Sequence, residues 1–418
     1  MSTYSLSGYT SMLGDPVRVD AYEAALARAI TPGCTVVEIG TGTGFFAVLA
    51  ARMGAGVVHA IEPDDSIQVA RELARDNGVE DRIVFHQELS TRVQLPEPAD
   101  VLFSDLRGVL PLFQHHVATV RDARTRLLRP GGVQIPLRDR VWAAPVSDAE
   151  TWSDRTTPWG DAHRGIDLAG TTRRLANLWS KARFTPEQLV APPTRWAELD
   201  WAVIEEPAVR GKLAWTLEAE GPVHGFGAWF ETELIGGSGP EGQAGAEGAP
   251  GAEGGPGAEG VGFSNAPDAP KALYGHAFFP FPAPLAGMPG DRLEVDLRAH
   301  LVGDDYVWEW RTHHIPETHP GDATRPPAHP PARPPTRFVQ STLAGTVLSP
   351  DHFRRGGDGY LPRLSAEGRV DAFVLGAMDG ATAVGEIARR LQAAFPERFP
   401  DDRSALNRVS ALSRDRAE

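Results

Sequence analysis

The residues best suited to chemistry cluster where a predicted strand runs into glycines. The run VVEIGTGTG, residues 36 to 44, closes a β-branched segment and opens a helical one. Gly40, Gly42 and Gly44 permit a sharp turn and let a ligand lie against bare backbone, because no Cβ stands in the way. A dinucleotide-binding turn would place its third glycine at position 45, where Phe45 stands, so a nicotinamide dinucleotide is disfavoured. Glu62 closes the next strand in HAIEPDD, just before Pro63, at the spacing where one carboxylate can accept both hydroxyls of a ribose. The strand after it ends in HQELS, which places Glu88 and Leu89 where an adenine would lie. Three successive strand ends lining one crevice point to a nucleoside.

A second polar loop follows the fourth predicted strand and reads SDLRGVLPLFQHH. Asp105 can fix an ammonium or hydroxyl, or take a proton, and Gln114 can donate or accept a hydrogen bond. His115 and His116 are further possible bases.

Short β-branched runs and amphipathic stretches must position these groups. From Thr35 to about Pro136 the strand candidates TVVEI, VVHAI, RIVFH and DVLFSD alternate with the helical FFAVLAARM and DSIQVARELARDNG, a pattern that predicts a parallel sheet covered by helices. Beyond Pro136 come aromatic runs of period two, LDWAVIEE, GKLAWTLEAE, GFGAWFETELI, ALYGHAFFPF, RLEVDLRAHLV and YVWEWRTHH, interrupted by a more helical patch from Ser147 to about Pro193. Such alternation predicts antiparallel sheets. Residues 236 to 260 repeat GAEG at 245, 251 and 257 and carry too little apolar surface to fold, while RPPAHPPARPPTR within 316 to 336 predicts a stiff connector. Helical patterning returns from about Leu361 to Leu412, with one helix expected to start near Thr382.

The fold class expected is therefore an α/β doubly wound, Rossmann-like domain (residues 1–140), an antiparallel β-barrel-like domain (141–315) with a disordered insertion, a Pro-rich linker (316–349) and a small α-helical, winged-helix-like module (350–418). With 55 acidic residues against 41 basic ones the net charge is -14, which argues against a nucleic-acid backbone as partner. Cys34, the only cysteine, rules out an intrachain disulfide and a thiolate metal cluster, and no metal is expected. The start lacks the pattern of a signal peptide and the most apolar stretch, Phe45 to Ile61, is broken by Arg52 and His59, so no membrane partner and a cytoplasmic location are expected.

In its N-terminal 140 residues the sequence resembles the protein arginine methyltransferase family. MLGDPVRVDAY is similar to that family's helix over the cofactor, and Arg18 falls where the family's arginine pairs with the methionine carboxylate. Glu38, Gly40, Gly42, Gly44 and Glu62 match its cofactor motifs, with Thr41 inside the same run. The likeness extends through GIDLAGTTRR, FTPEQLVAPP and GFGAWFETEL and covers residues 5 to 312 in all. It implies S-adenosylmethionine as cofactor and a homodimer. The family holds its acceptor with two glutamates in S-E-x-x-G-x-x-L-x-x-E. Here Ser104 and Gly108 are kept, but Asp105 and Gln114 replace the glutamates and Arg107 stands between them. The family's Thr-His-Trp loop reads KALYG, and of its early aromatic motif only Tyr4 and Tyr9 remain nearby. Asp105, Gln114 and Tyr9 are the catalytic candidates. VLGAMDGATAVGEIARRLQAAFP, with a turn at Asp379 and Gly380, resembles small peptide-binding domains of the pyrroloquinoline-quinone chaperone type, which add a leader as a strand at a sheet edge. The combination predicts methylation, at an amine, of a ribosomally made precursor peptide or related natural-product intermediate. Protein arginine methylation and a catalytically silent cofactor-binding subunit are the alternatives.

Overall fold

The computed structural model describes residues 6–160, 162–237, 260–317, 333–347 and 349–417. The insertion expected over 236 to 260, much of the proline-rich connector and Tyr4 lie outside the described residues. Two compact units are present, Met1–Thr346 and Val347–Glu418.

The first unit begins with α1 (Leu6–Leu13) and α2 (Pro16–Ala29). Asp15 caps α2 by accepting the Arg18 N–H at 3.3 Å, and Pro16 at the first helical position lacks only an N–H that would have had no partner. Tyr22, Ala25, Leu26 and Ala29 recur at helical spacing and are buried. Removing Tyr22 and Leu26 from water stabilises the unit by roughly 2–3 kcal/mol each.

A parallel sheet follows: β1 (Thr35–Ile39), α3 (Phe45–Arg52), β2 (Val57–Ile61), α4 (Ile67–Asp76), β3 (Ile83–His86), β4 (Ala99–Ser104), α5 (His116–Arg126) and β5 (Leu128–Ile135). The strand order is β3-β2-β1-β4-β5, with β1 between β2 and β4 in parallel register. The order reverses beside β1, so the carboxyl ends of β1 and β4 open a crevice, the usual ligand position in such sheets. Four strands match the expected runs. The fifth, LRPGGVQI, was not among them, because Pro130, Gly131 and Gly132 disguise it.

The remaining strands of this unit are β6 (Arg138–Val146), the small hairpin β7 (Ala162–His163) and β8 (Ile166–Asp167), β9 (Ser180–Ala182), β10 (Thr194–Asp200), β11 (Val209–Thr216), β12 (Gly221–Ile235), β13 (Val261–Ser264), β14 (His276–Gly287), β15 (Arg292–Val302), β16 (Asp305–Ile315) and β17 (Thr336–Ser341). Helices α6 (Ala149–Thr156), α7 (Ala169–Leu175) and α8 (Thr342–Gly345) interrupt or follow them. Instead of one hydrogen-bonded barrel, the larger groupings are two antiparallel sheets, β10-β6-β12-β14-β9 with β13 on β12, and β11-β15-β16-β17. They share a core in which Phe226 stacks on Phe279 at 4.8 Å and Trp308 and Trp310 are buried.

Two expectations are corrected. LDWAVIEE is not a strand: β10 stops at Asp200, and Trp201 turns inward to donate from its indole to Asp139 at 2.8 Å. Residues 336–341, placed in the connector, form β17 against β16, since Phe338 packs on Phe281 and Gln340 is buried.

The second unit holds α9 (Pro350–Arg355), α10 (Ala366–Gly376), α11 (Val384–Ala394) and α12 (Asp402–Arg416) around Val370, Val374, Ile387, Leu391 and Val409. Asp379 accepts the Thr382 N–H at 2.7 Å and fixes the turn before α11, which starts at Val384, close to the expected start near Thr382. Among its described residues there is no strand.

Candidate active site

The glycine turn is held by β2. Gly40 and Thr41 both donate their N–H to the Ile61 carbonyl, at 2.9 and 3.1 Å, so the loop folds back across the strand end. Gly40, Gly42 and Gly44 have φ of 78°, 55° and 83°, a region that L side chains rarely adopt. Gly42 has a second reason to be glycine, because an added Cβ would lie 2.5 Å from the ring of Tyr9, which covers this turn and sits with its hydroxyl 3.3 Å from Ser66.

Glu62 bridges two loops by accepting the N–H of Gly42 and of Asp64, each at 3.0 Å. Burial raises its pKa. Glu38 accepts from the Thr41 hydroxyl at 2.7 Å, and burial pushes its pKa up to about 7 against the help of that bond and of Arg18. Both carboxylates, with Arg18, Gly40, Thr41, Pro63 and Leu89, line one cavity of roughly 820 Å³. Gly42 and Gly44 belong to the same turn but do not line the cavity. Glu88 does not line it. It pairs with Arg92 at 3.4 Å, and Leu89 and Ser90 line the cavity in that loop.

The same cavity is also lined by Asp105, Leu106, Arg107, Gln114, His116, Trp179, Lys181 and Tyr274. Asp105 Oδ2 accepts from Arg18 Nε at 2.6 Å and from the Tyr274 hydroxyl at 2.9 Å, and Oδ1 accepts from Arg107 Nη1 at 3.0 Å. Burial alone would raise the Asp105 pKa, but the two guanidiniums outweigh it and hold it down to about 2. Asp105 is therefore held as a carboxylate by its three partners. Tyr274, whose pKa burial and Asp105 raise, stays a hydroxyl donor.

Arg107 is held from all sides. Nε meets Asp139 at 3.0 Å, Nη2 meets the Thr232 hydroxyl at 2.7 Å, and Nη1 also meets the Tyr22 hydroxyl. Gln114 sits at φ 42° in the same lining, a strained conformation that costs of order 1 kcal/mol and persists because neighbours impose it. His115 is exposed and pairs with Asp304. His116 stacks on Trp201 at 4.2 Å, and burial lowers its pKa to about 4, so it is a neutral imidazole bonded to the Pro111 carbonyl.

Tyr274, Asp139, Tyr22 and Thr232 were not found from sequence. Tyr22, Thr232 and Tyr274 lie within the quoted runs MLGDPVRVDAY, GFGAWFETEL and KALYG, but nothing local singled them out, because their partners are on distant elements. Asp15 did carry a local signal, an Asp before Pro at a helix start, and it also accepts the Leu273 N–H at 2.6 Å, tying α2 to the loop that carries Tyr274. Among the described residues no group of three or more His, Cys, Asp or Glu is placed to hold a metal ion, and no helix is long and apolar enough to cross a membrane.

Comparisons with known proteins agree with this geometry. Residues 23–131 match the family described as ribosomal protein L11 methyltransferase (PrmA). A probable protein arginine N-methyltransferase 6.1 of Oryza sativa subsp. indica is 28% identical over 248 residues, 57% of this chain and 65% of that protein, so this chain spans just under two thirds of that relative's length. Protein arginine N-methyltransferase PRMT10 of Arabidopsis thaliana is 29% identical over 267 residues, 56% of this chain and 68% of that one. In fold, the crystal structure of Arabidopsis thaliana protein arginine methyltransferase 10 superposes with a TM-score of 0.64 at 22% identity, covering 81% of this chain and 97% of that one. The Trypanosoma brucei PRMT1 enzyme-prozyme complex with AdoHcy gives 0.65 at 22%, covering 79% and 97%. The glycine turn, Glu62 and Arg18 fit S-adenosylmethionine, residues 23–131 are similar to a methyltransferase family, and the fold is that of the two protein arginine methyltransferase structures.

Proposed function

We propose that this chain transfers a methyl group from S-adenosylmethionine to a nitrogen of a protein or peptide substrate. The observation that carries the reading is the convergence, on one cavity, of the glycine turn, Glu62, Arg18 and the carboxylate of Asp105. The cofactor supplies a methyl group on a positively charged sulfur, already activated toward a nucleophile. The chain's own residues then have a positioning task, which can account for much of the rate. Glu62 is set to take the ribose, Arg18 the amino-acid carboxylate, and Asp105, fixed as an anion by Arg18 and Tyr274, orients the acceptor's N–H. Gln114 adds a neutral amide to the same cavity.

A protein side chain, as the names of the arginine N-methyltransferases imply for those proteins, is better supported as acceptor than a natural-product precursor. The precursor reading rests on the C-terminal pattern alone. The test is incubation with S-adenosylmethionine and a mixed protein pool, reading S-adenosylhomocysteine release and the mass of methylated peptides. Binding of the cofactor without any release would reject the enzyme and favour a silent subunit.

A further inference from the structure

A second cavity, of about 430 Å³, lies against the sheet that holds β6 and β12 and shares no lining residue with the cofactor cavity. Trp142 on β6 and Trp229 on β12 stand directly opposite each other in the antiparallel register, which brings their Cβ atoms to about 5 Å. Side chains alternate along a strand, so while Val141, Ala143 and Ala228 enter the shared core, the two indoles and Glu231 take the other face. Pro186 and Pro193, from the segment between β9 and β10, and Pro267 and Asp268, after β13, close the sides.

The lining selects one kind of ligand. Indoles and prolines make it mostly apolar, yet it carries two carboxylates, Glu231 and Asp268, and no Lys, Arg or His. The Glu231 side chain is 46% exposed and its pairing with Arg140 spans 4.0 Å, whereas Arg140 lies nearer Glu198 and Glu233, at 3.2 and 3.5 Å. Arg138 and Arg195 are likewise committed to Glu198, Asp200 or Glu233. Arg183 donates to the Ala272 carbonyl at 2.7 Å, and Lys271 is exposed and lines no part of the cavity. His276, tilted against Trp229 at 6.0 Å, is kept neutral by burial. Negative charge therefore stands beside aromatic and apolar surface with no resident cation. A plain ammonium is strongly hydrated and loses too much water to enter such a lining. A methylated cation spreads its charge, matches proline and indole with its methyl groups, and is attracted to an aromatic face by about 0.5–2 kcal/mol.

We propose that this cavity binds a methylated cationic side chain of a polypeptide, a methylated guanidinium or a methylated ammonium, against Trp142 and Trp229 with Glu231 and Asp268 as counter-charges. A polypeptide bearing such a group is the product class of the methyl transfer proposed above, and to that extent the inference rests on that reading. Retention of a modified segment here raises the effective concentration of its unmodified residues at the cofactor cavity.

The test is calorimetric binding to the full chain, saturated with S-adenosylhomocysteine, of one short peptide made in four forms that carry lysine, trimethyllysine, arginine or dimethylarginine at the same position. The methylated member of at least one pair should bind about fivefold or more tightly than its unmethylated form, and the pair that shows it tells ammonium from guanidinium. Trp142→Ala should remove the preference. Glu231→Gln, at a part-exposed side chain, should weaken the methylated peptide about two- to fivefold. Circular dichroism and an unchanged affinity for S-adenosylhomocysteine establish that each variant is folded, and if Trp142→Ala is not, Glu231→Gln decides. No preference for either methylated form, a preference intact in folded Trp142→Ala, or an affinity unmoved in Glu231→Gln overturns the proposal. The readout is binding without turnover, so its failure leaves methyl transfer standing, whereas absent release of S-adenosylhomocysteine rejects the enzyme and not this site.

Discussion

Glu38 gives the sharpest physical test. Its carboxyl is buried beneath the glycine turn, and its pKa moves from 4.5 to about 7. At about 1.36 kcal/mol per pH unit this is worth roughly 3 kcal/mol. In the unfolded chain Glu38 loses its proton near 4.5, whereas in the native state it keeps it until about 7. Across that window the native state binds more protons, so stability falls as pH rises and remains lower by roughly 3 kcal/mol above it. Glu38→Gln imitates the protonated acid and has no such dependence. Urea unfolding of parent and variant, followed by tryptophan fluorescence at about pH 5 and about pH 8.5, should show the variant gaining roughly 2–3 kcal/mol relative to the parent between the two conditions. His59, His86, His116 and His276 act with the opposite sign. Burial lowers each pKa, so their contribution is present above the ordinary histidine range and lost on acidification. They are common to both proteins and cancel in the difference. A difference flat to within about 0.5 kcal/mol would refute the buried-acid account of this turn.

Two further outcomes follow from the same geometry. Gly44→Ala would place its Cβ 2.6 Å from the Cβ of Ala70 at a φ of 83°, and should lower stability by about 2–4 kcal/mol in urea unfolding, with an unchanged midpoint counting against the packing described. Arg18→Ala leaves Asp105 still bonded to Arg107 and Tyr274, and should weaken S-adenosylhomocysteine binding by roughly 10- to 100-fold in calorimetry, whereas an unchanged Kd would remove Arg18 from the cofactor site.

Much of the parallel sheet was legible in the sequence because its determinants are local. TVVEI and VVHAI are apolar enough to be buried on both faces, and glycines at 40, 42 and 44 announce a turn that side chains would obstruct. Once strand order followed, the ends of β1, β2 and β4 had to meet, which made Glu62 and the turn predictable partners. The C-terminal helices were legible for the same reason: caps at Ser365 and Asp401 and apolar spacing are read within a few residues.

The charge state around Asp105 was decided by the tertiary structure alone. Arg18 reaches Asp105 across 87 positions, Tyr274 reaches it across 169, and Arg107 finds Thr232 across 125, distances over which no sequence period carries information. The sequence named Asp105 and Arg107 as neighbours in a loop. It did not disclose that the second would be locked by Asp139 and the first bonded on both oxygens. Hydrogen bonds and ion pairs depend on which atoms the packed core brings within about 3 Å. For a buried carboxylate that proximity settles whether it is a base, an anchor or already engaged.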